Sequence, residues 1–381
     1  MDAELEAVGG RIRSRLPLGM SQKRLAEKAG MTPDALSRAL NGQRGFSSTE
    51  LARIADELGA DVYWLITGRD DPRKVEIAAR HKWDATQRKR DNPGRDADEA
   101  VLGRVIAAYQ AAFPSGPPAS RALPKNPRAL RDLLGEAFVR EFSHAVENKL
   151  GVDVVRIAGL TTDYSLRIGA RSIIILATTP RWFRSNWSLA HELGHLALGH
   201  HDGNASTDQR NEGPADQFAA NLLLPSDEMS YENWDTKDES GLARFLWSAG
   251  VSTHALRNRL DALEIKPSAA VEEALNGSTP RLIRAYAGAE WMIGDEAAVT
   301  LREQQASTRL VPPVLVDALH QQVEAGNASP EFLAWALAVP VDEIDFPEPD
   351  DADFAASYAA RLENQPTTAY LENWLATNGV E

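Results

Sequence analysis

The stretch Ser188-Leu189-Ala190-His191-Glu192-Leu193-Gly194-His195-Leu196 holds the residues best suited to chemistry. His191 and His195 are four apart. On a helix that spacing stacks two imidazoles one turn apart, about 6 Å between their bases, which suits two ligands on one metal. Glu192, beside the first histidine, can reach a water at that metal without being a ligand itself. This is the H-E-x-x-H arrangement, in which the glutamate is general base for a zinc-activated water. Two buried, hydrogen-bonded histidines on an ordinary helix would leave the same pattern, so the motif calls for further ligands.

Catalytic zinc usually has three protein ligands and one open position. His200, His201 and Glu212 are the nearby candidates. His201 falls ten residues after His191, where a metzincin-type third histidine lies, but that pattern needs glycine at position 198 and this chain has Leu198. Glu212 opens an apolar-periodic run through Ala215, Phe218, Ala219, Leu222 and Leu223, which reads as a second helix. Asp216, one turn further, is placed to accept the free ring N–H of a ligating histidine and so fix its tautomer. The expected site is therefore Zn2+ on His191, His195 and Glu212, with Glu192 as the catalytic base and Asp216 behind the ligands.

The run from Trp187 to His195 and the segment Glu212-x-x-Ala215-Asp216-x-Phe218-Ala219-Ala220-x-Leu222-Leu223-x-Pro225 resemble the ImmA/IrrE family of zinc metallopeptidases, over roughly residues 125 to 265. The resemblance implies that His191, His195 and Glu212 hold zinc and that Glu192 is catalytic. It also implies cleavage of a partner protein, often a helix-turn-helix repressor. Many members have asparagine where this chain has Asp216; the aspartate instead looks like the Asn-Glu-x-x-x-Asp segment of thermolysin-like enzymes.

Elements must hold these residues in place. Residues 127 to 149 read as one long amphipathic helix through Leu130, Leu134, Phe138, Phe142 and Val146. Strands follow at 152 to 157, 164 to 168 and 172 to 176, the last nearly all apolar as in a central strand. The zinc helix is expected to start near Ser185 or Asn186, packed on the sheet by Trp182, Phe183 and Trp187. Tyr164 and Arg167 are loose candidates for an oxyanion donor. Residues 200 to 211 read as a surface loop, with His200 and His201 exposed. An edge strand beside the zinc helix could take an extended peptide.

Residues 5 to 67 read as five short helices. Ser21 caps the second, Gly30 ends it, Thr32-Pro33 starts the third, Asn41-Gly42 stops that one, and Ser47 or Ser48 starts the fourth. The second and third, across a tight turn, form a helix-turn-helix signature. The third would enter the major groove. Gln22, Thr32, Asp34, Ser37, Arg38 and Asn41 are the expected DNA-contacting residues, with Arg44 placed for phosphate. Residues 5 to 68 resemble the Cro/repressor (xenobiotic-response-element) class, most strongly at Ser37-Arg38-Ala39-Leu40-Asn41-Gly42-x-Arg44. Ten basic and ten acidic residues over 1 to 70 make the electrostatic drive modest. A homodimer would pair half-sites.

Residues 69 to 96 carry nine basic and six acidic residues and read as a linker with a partial helix at 73 to 83. A helix is expected at 97 to 113, then a break at Pro114-Ser115-Gly116-Pro117-Pro118. Two helices flank Val251-Ser252. Further helices are expected near 280 to 305, 311 to 324, 329 to 337 and 356 to 375. From 341 on, ten acidic residues stand against Arg361 alone. That argues against DNA contact there.

The chain has 381 residues, a net charge of −14, 43% hydrophobic content and no cysteine. Disulfides and thiolate ligands are excluded, and a whole-protein nucleic-acid coat is not expected. The absence of a long apolar run or leader-like start points to a cytoplasmic protein with no membrane partner. The expected architecture is multidomain and mainly α. It has a helix-turn-helix DNA-binding domain at 1–68, a basic linker and helix at 69–119, an α+β zincin-like metallopeptidase domain with a small sheet at 120–265, and a helical C-terminal domain with an acidic tail at 266–381. The expected function is a zinc-dependent endopeptidase that cleaves a regulatory protein, a transcriptional repressor, and is coupled to a domain that binds double-stranded DNA. The rival is a repressor-type regulator whose metal domain senses or binds partners without cleaving.

Overall fold

A computed structural model describes residues 3–79, 82–84, 89–91, 95–201, 209–286, 289 and 296–344. The expected helix at 356 to 375, the acidic tail beyond 344, most of the 200 to 211 loop and the middle of the 280 to 305 segment lie outside the described residues.

The N-terminal region is five helices, as its caps imply: α1 (Ala3–Ser14), α2 (Gln22–Ala29), α3 (Pro33–Leu40), α4 (Ser48–Leu58) and α5 (Val62–Thr67). Ser21 accepts from the Arg24 N–H and Thr32 from the Ala35 N–H, so each satisfies an orphan donor of its helix. Ser47 and Glu50 form a reciprocal capping box on α4. Ile12, Leu25, Leu36, Ile54 and Leu65 fill the core between the helices. Gly9 lets α1 touch the end of α3: a Cβ there would stand 2.0 Å from the Leu40 carbonyl oxygen.

Residues after α5 depart from the linker reading. Val75–Ala79 is a strand, β1, where a partial helix was expected. Its alternating Val75, Ile77 and Ala79 suit a pleat better than a helical face. A small antiparallel hairpin follows, β2 (Lys82–Asp84) with β3 (Lys89–Asp91). Then come α6 (Arg95–Ala112) and α7 (Pro127–Leu134). The single long helix expected over 127 to 149 is broken. Gly135 at φ 82 and ψ 178 and Ala137 at φ 54 end α7, and the chain resumes as α8 (Phe142–Ala145) between a tight turn and a wider one. Leu130, Phe138, Phe142 and Val146 are still all buried, because the break keeps them on one side.

The three expected strands are present: β4 (Asp153–Ile157), β5 (Tyr164–Ile168) and β6 (Arg171–Ala177). With β1 they form one sheet of order β1-β5-β6-β4. β4 runs parallel to β6, and the other two pairings are antiparallel. The strand alternation divides β6 between two cores: Ile174 and Leu176 face one, Ile173 and Ile175 the other. The first is shared with α9 (Trp182–Leu198) and α10 (Glu212–Leu223). The helices α11 (Ser226–Tyr231), α12 (Glu239–Ala249), α13 (Thr253–Ala262), α14 (Ala269–Ala274), α15 (Thr279–Ala285) and α16 (Glu296–Ser307) follow. Behind the sheet, α17 (Pro313–Glu324) packs on α6 and α18 (Pro330–Leu337). Leu315, Leu319 and Leu333 there share a core with Ile173 and Ile175. The protein is thus a helical N-terminal region, a central mixed α/β domain and a helical C-terminal region. Among the described residues no helix is long and apolar enough to cross a membrane.

Candidate metal centre

The centre is built where α9 crosses α10. α9 starts at Trp182, three residues before the expected Ser185, and runs until Gly199 stops it in the left-handed conformation. The α9 residues from Ser188 to Ala197 are all buried, so both histidines and Glu192 lie inside the protein. Gly194 permits the crossing: a Cβ there would lie 3.1 to 3.2 Å from Phe218 and Ala215 of α10. This close approach carries Glu212, at the first position of α10, to the histidines.

The ring nitrogens Nε2 of His191 and His195 lie 3.1 Å apart. Glu212 places Oε2 3.5 Å from His191 Nε2 and Oε1 3.6 Å from His195 Nε2. Four ligands set tetrahedrally at zinc bond lengths of about 2.0–2.1 Å stand about 3.3 Å from one another. The observed spacings bracket that value, and two nitrogens and a carboxylate are a donor set that zinc takes. Among the described residues these three are the group whose ligand atoms converge in this way. His201 is buried and is not one of the three.

Both outer ring nitrogens are also engaged. His191 Nδ1 lies 2.9 Å from Asp216 Oδ1. His195 Nδ1 lies 2.9 Å from His200 Nδ1. These contacts point each Nε2 inward, which is how a neighbour to a histidine fixes its tautomer. Burial lowers the His200 pKa below its ordinary value; Glu212 opposes the fall and His191 adds to it. The expected exposed pair, His200 and His201, is instead half-buried and buried, because the chain turns back onto α9 after Gly199.

Glu192 is fully buried and accepts a 2.7 Å hydrogen bond from Ser165 Oγ of β5. The motif gave no hint of Ser165; the available signal was a small hydroxyl in an alternating strand. The same alternation removes Tyr164 as an oxyanion donor, because it faces the opposite core and donates to Asp98 of α6 at 2.7 Å. Arg167, two positions from Ser165, does face α9, and its Nη2 lies 3.5 Å from the Leu196 carbonyl oxygen. Of the three aromatics expected against the sheet, Trp182 stacks edge-on to Trp247 of α12. Phe183 and Trp187 line a cleft of about 1490 Å³ that also borders Asp216, Arg181 and Arg184. The sheet edge beside β5 is taken by β1, with Ala78 opposite Ser165.

In the helix-turn-helix region, Gln22, Thr32, Asp34, Ser37, Arg38 and Asn41 are exposed on α2, on α3 and at its end. Arg38 pairs with Asp34 at 2.9 Å. Arg44 is half-buried and held by Glu50, whose carboxyl it pulls below the usual value.

Residues 147–261 match the IrrE N-terminal-like domain, a peptidase family. Residues 13–65 match a helix-turn-helix family. The chain joins an IrrE-like peptidase domain to a helix-turn-helix domain. No curated protein and no solved structure matches the chain. The IrrE-like match contains all of α9 and α10, and so both histidines, Glu192, Glu212 and Asp216.

Proposed function

We propose that the protein is a zinc-dependent endopeptidase of the cell interior that cleaves a regulatory protein, a DNA-bound repressor, and that its helix-turn-helix domain binds double-stranded DNA. The observation that carries the reading is the convergence of His191, His195 and Glu212 at zinc-like spacing beside a buried glutamate. His191, His195 and Glu212 would hold the ion, which supplies Lewis acidity for a peptide carbonyl and acidifies water at neutral pH. Glu192 accepts the proton of the attacking water as the new C–O bond forms. It returns that proton to the leaving nitrogen as the C–N bond breaks. Ser165 keeps the carboxylate aimed while it does so. Asp216 and His200 hold the two imidazoles in one orientation. A peptide enters through the cleft beside Asp216, where Phe183 and Trp187 offer apolar walls and Arg181 and Arg184 offer positive charge. On the DNA side, Gln22, Thr32, Asp34, Ser37, Arg38 and Asn41 supply contacts to the duplex, and a homodimer doubles them.

Metal content by mass spectrometry, on the wild type, Glu192→Gln, Glu212→Ala and Asp216→Ala proteins, tests the reading. About one zinc per chain is expected in the wild type and in Glu192→Gln. Glu212→Ala should lose it, and Asp216→Ala should bind it about 10–100-fold more weakly. A wild type without zinc after chelator-free purification would overturn the peptidase assignment. Zinc retained in Glu212→Ala would overturn the ligand set.

A further inference from the structure

A second cavity, of about 460 Å³, lies beside the N-terminal turns of α9, away from the cleft at Asp216. Its walls come from the segment 139–144, from Arg156 of β4, from α9 at Trp182, Ser185 and Asn186, and from residues 301–310. Four guanidinium groups line it, those of Arg140, Arg156, Arg302 and Arg309, against a single carboxylate, Glu141. In a chain of net charge −14 this is a pronounced local excess of positive charge. None of the four arginines forms an ion pair among the described residues.

The arginines are held in place rather than left to wave in solvent. Arg302 stacks on Trp247, 3.6 Å from the ring centroid, and 4.8 Å from the Trp182 ring of α9, and donates to the Trp247 carbonyl oxygen at 2.9 Å. Arg309 stacks on Trp335 and donates to Ala336. Arg156 donates to the Gln305 carbonyl and to Ser143. After those bonds Arg156 Nε and Arg309 Nη2 are buried N–H groups with no acceptor among the described residues. Arg140 is exposed at the rim, with no side-chain bond among the described residues. Burial, with Arg140 close by, pulls the Arg302 pKa down to about 10. Glu147 is another carboxylate near Arg156; burial raises it to about 6, so it still carries most of its charge at neutral pH, but it does not line the cavity. Four like charges gathered in a part-buried space with one lining carboxylate are unfavourable, and a bound anion relieves that cost.

We propose that this cavity binds a small organic molecule carrying two or more negative charges, a phosphorylated or polycarboxylate metabolite. The volume is that of a small-molecule site, and the aromatic and aliphatic walls at Trp182, Phe142 and Leu310 suit a carbon skeleton. Arg302 bridges the cavity to Trp182, so the ligand rests against the helix that carries His191 and His195. The proposal does not depend on peptide hydrolysis.

The test is the melting temperature of the full chain against rising glycerol 3-phosphate and, separately, succinate. Sodium chloride at matched ionic strength is the control, since screening alone also shifts charged proteins. The wild type should show a rise that grows with the logarithm of probe concentration. Arg140→Glu should weaken the apparent affinity about tenfold or more. Arg104→Glu, an exposed change of equal charge on α6 outside the cavity, should keep it. A response no larger than that to sodium chloride overturns the proposal. So does an equal loss in the two variants, which would mark a general charge effect.

Discussion

Burial raises the Glu147 carboxyl from 4.5 to about 6; a hydrogen bond from the Val154 N–H opposes the rise and Asp153 adds to it. A carboxyl whose folded value lies above its unfolded value binds more protons in the native state. Stability therefore falls as the pH climbs from about 4.5 to about 6 and stays reduced above it. The full rise corresponds to about 2 kcal/mol, and partial exposure brings it to about 1 kcal/mol. Glu147→Gln, which keeps an oxygen for Val154, should gain about 1 kcal/mol at pH 7 and flatten that part of the pH profile in urea titrations. An unchanged pH slope would show that the carboxyl is not perturbed. At this scale the sequence was most legible where the chemistry is local. The i, i+4 relation of His191 and His195 and the i, i+4 relation of Glu212 and Asp216 need only a helix to be read. Ser165 and His200 were harder. One depends on the sheet lying over α9, and the other on a chain reversal after Gly199 that no periodicity encodes.

The contact between α9 and α10 decides whether the three candidate ligands meet at all. Gly194→Ala puts a methyl group 3.1 to 3.2 Å from Phe218 and Ala215, too tight without movement of α10. A destabilisation of about 1–3 kcal/mol is expected, with weaker zinc binding because Glu212 moves with its helix. Gly103→Ala in α6, where nothing lies within 4 Å, should instead stabilise by about 0.5–1 kcal/mol. Denaturant melts and zinc titrations on the pair separate crowding from helix propensity; a Gly194→Ala protein that binds zinc like the wild type would sink the packing argument. Element types were readable wherever caps and alternation agreed, as in α2 to α4 and in β5 and β6. They were misread at Gly135, where one glycine and Ala137 broke an otherwise continuous apolar stripe. At 75 to 79 the basic composition masked a strand whose partner is almost ninety residues away.

Across the whole molecule, the back of the sheet is covered by α6, α17 and α18. Removing everything after residue 265 would uncover Tyr164, Leu166, Ile173 and Ile175 by taking away Leu315, Leu319 and Leu333. Such a protein should aggregate or lose its cooperative unfolding transition in calorimetry, because a large apolar face of a sheet would meet water. A soluble fragment that melts like the full chain would show that those helices are dispensable. The sequence alone left residues 275 to 381 without a role, since helical periodicity says that a face is buried but not against what.

The pairing of β1 with β5 also sets a length. Seven residues, 68–74, separate the end of α5 from Val75, and a chain of that length reaches at most about 25 Å. The leash cannot be paid out further without unzipping β1 from β5. If α3 holds a duplex, as proposed, the candidate metal centre stays within a few nanometres of that DNA. A second protein bound to the same stretch of DNA meets it at an effective concentration on the order of millimolar. Contact with such a neighbour is then set by where it lies along the duplex, and hardly at all by how many copies of it the cell contains.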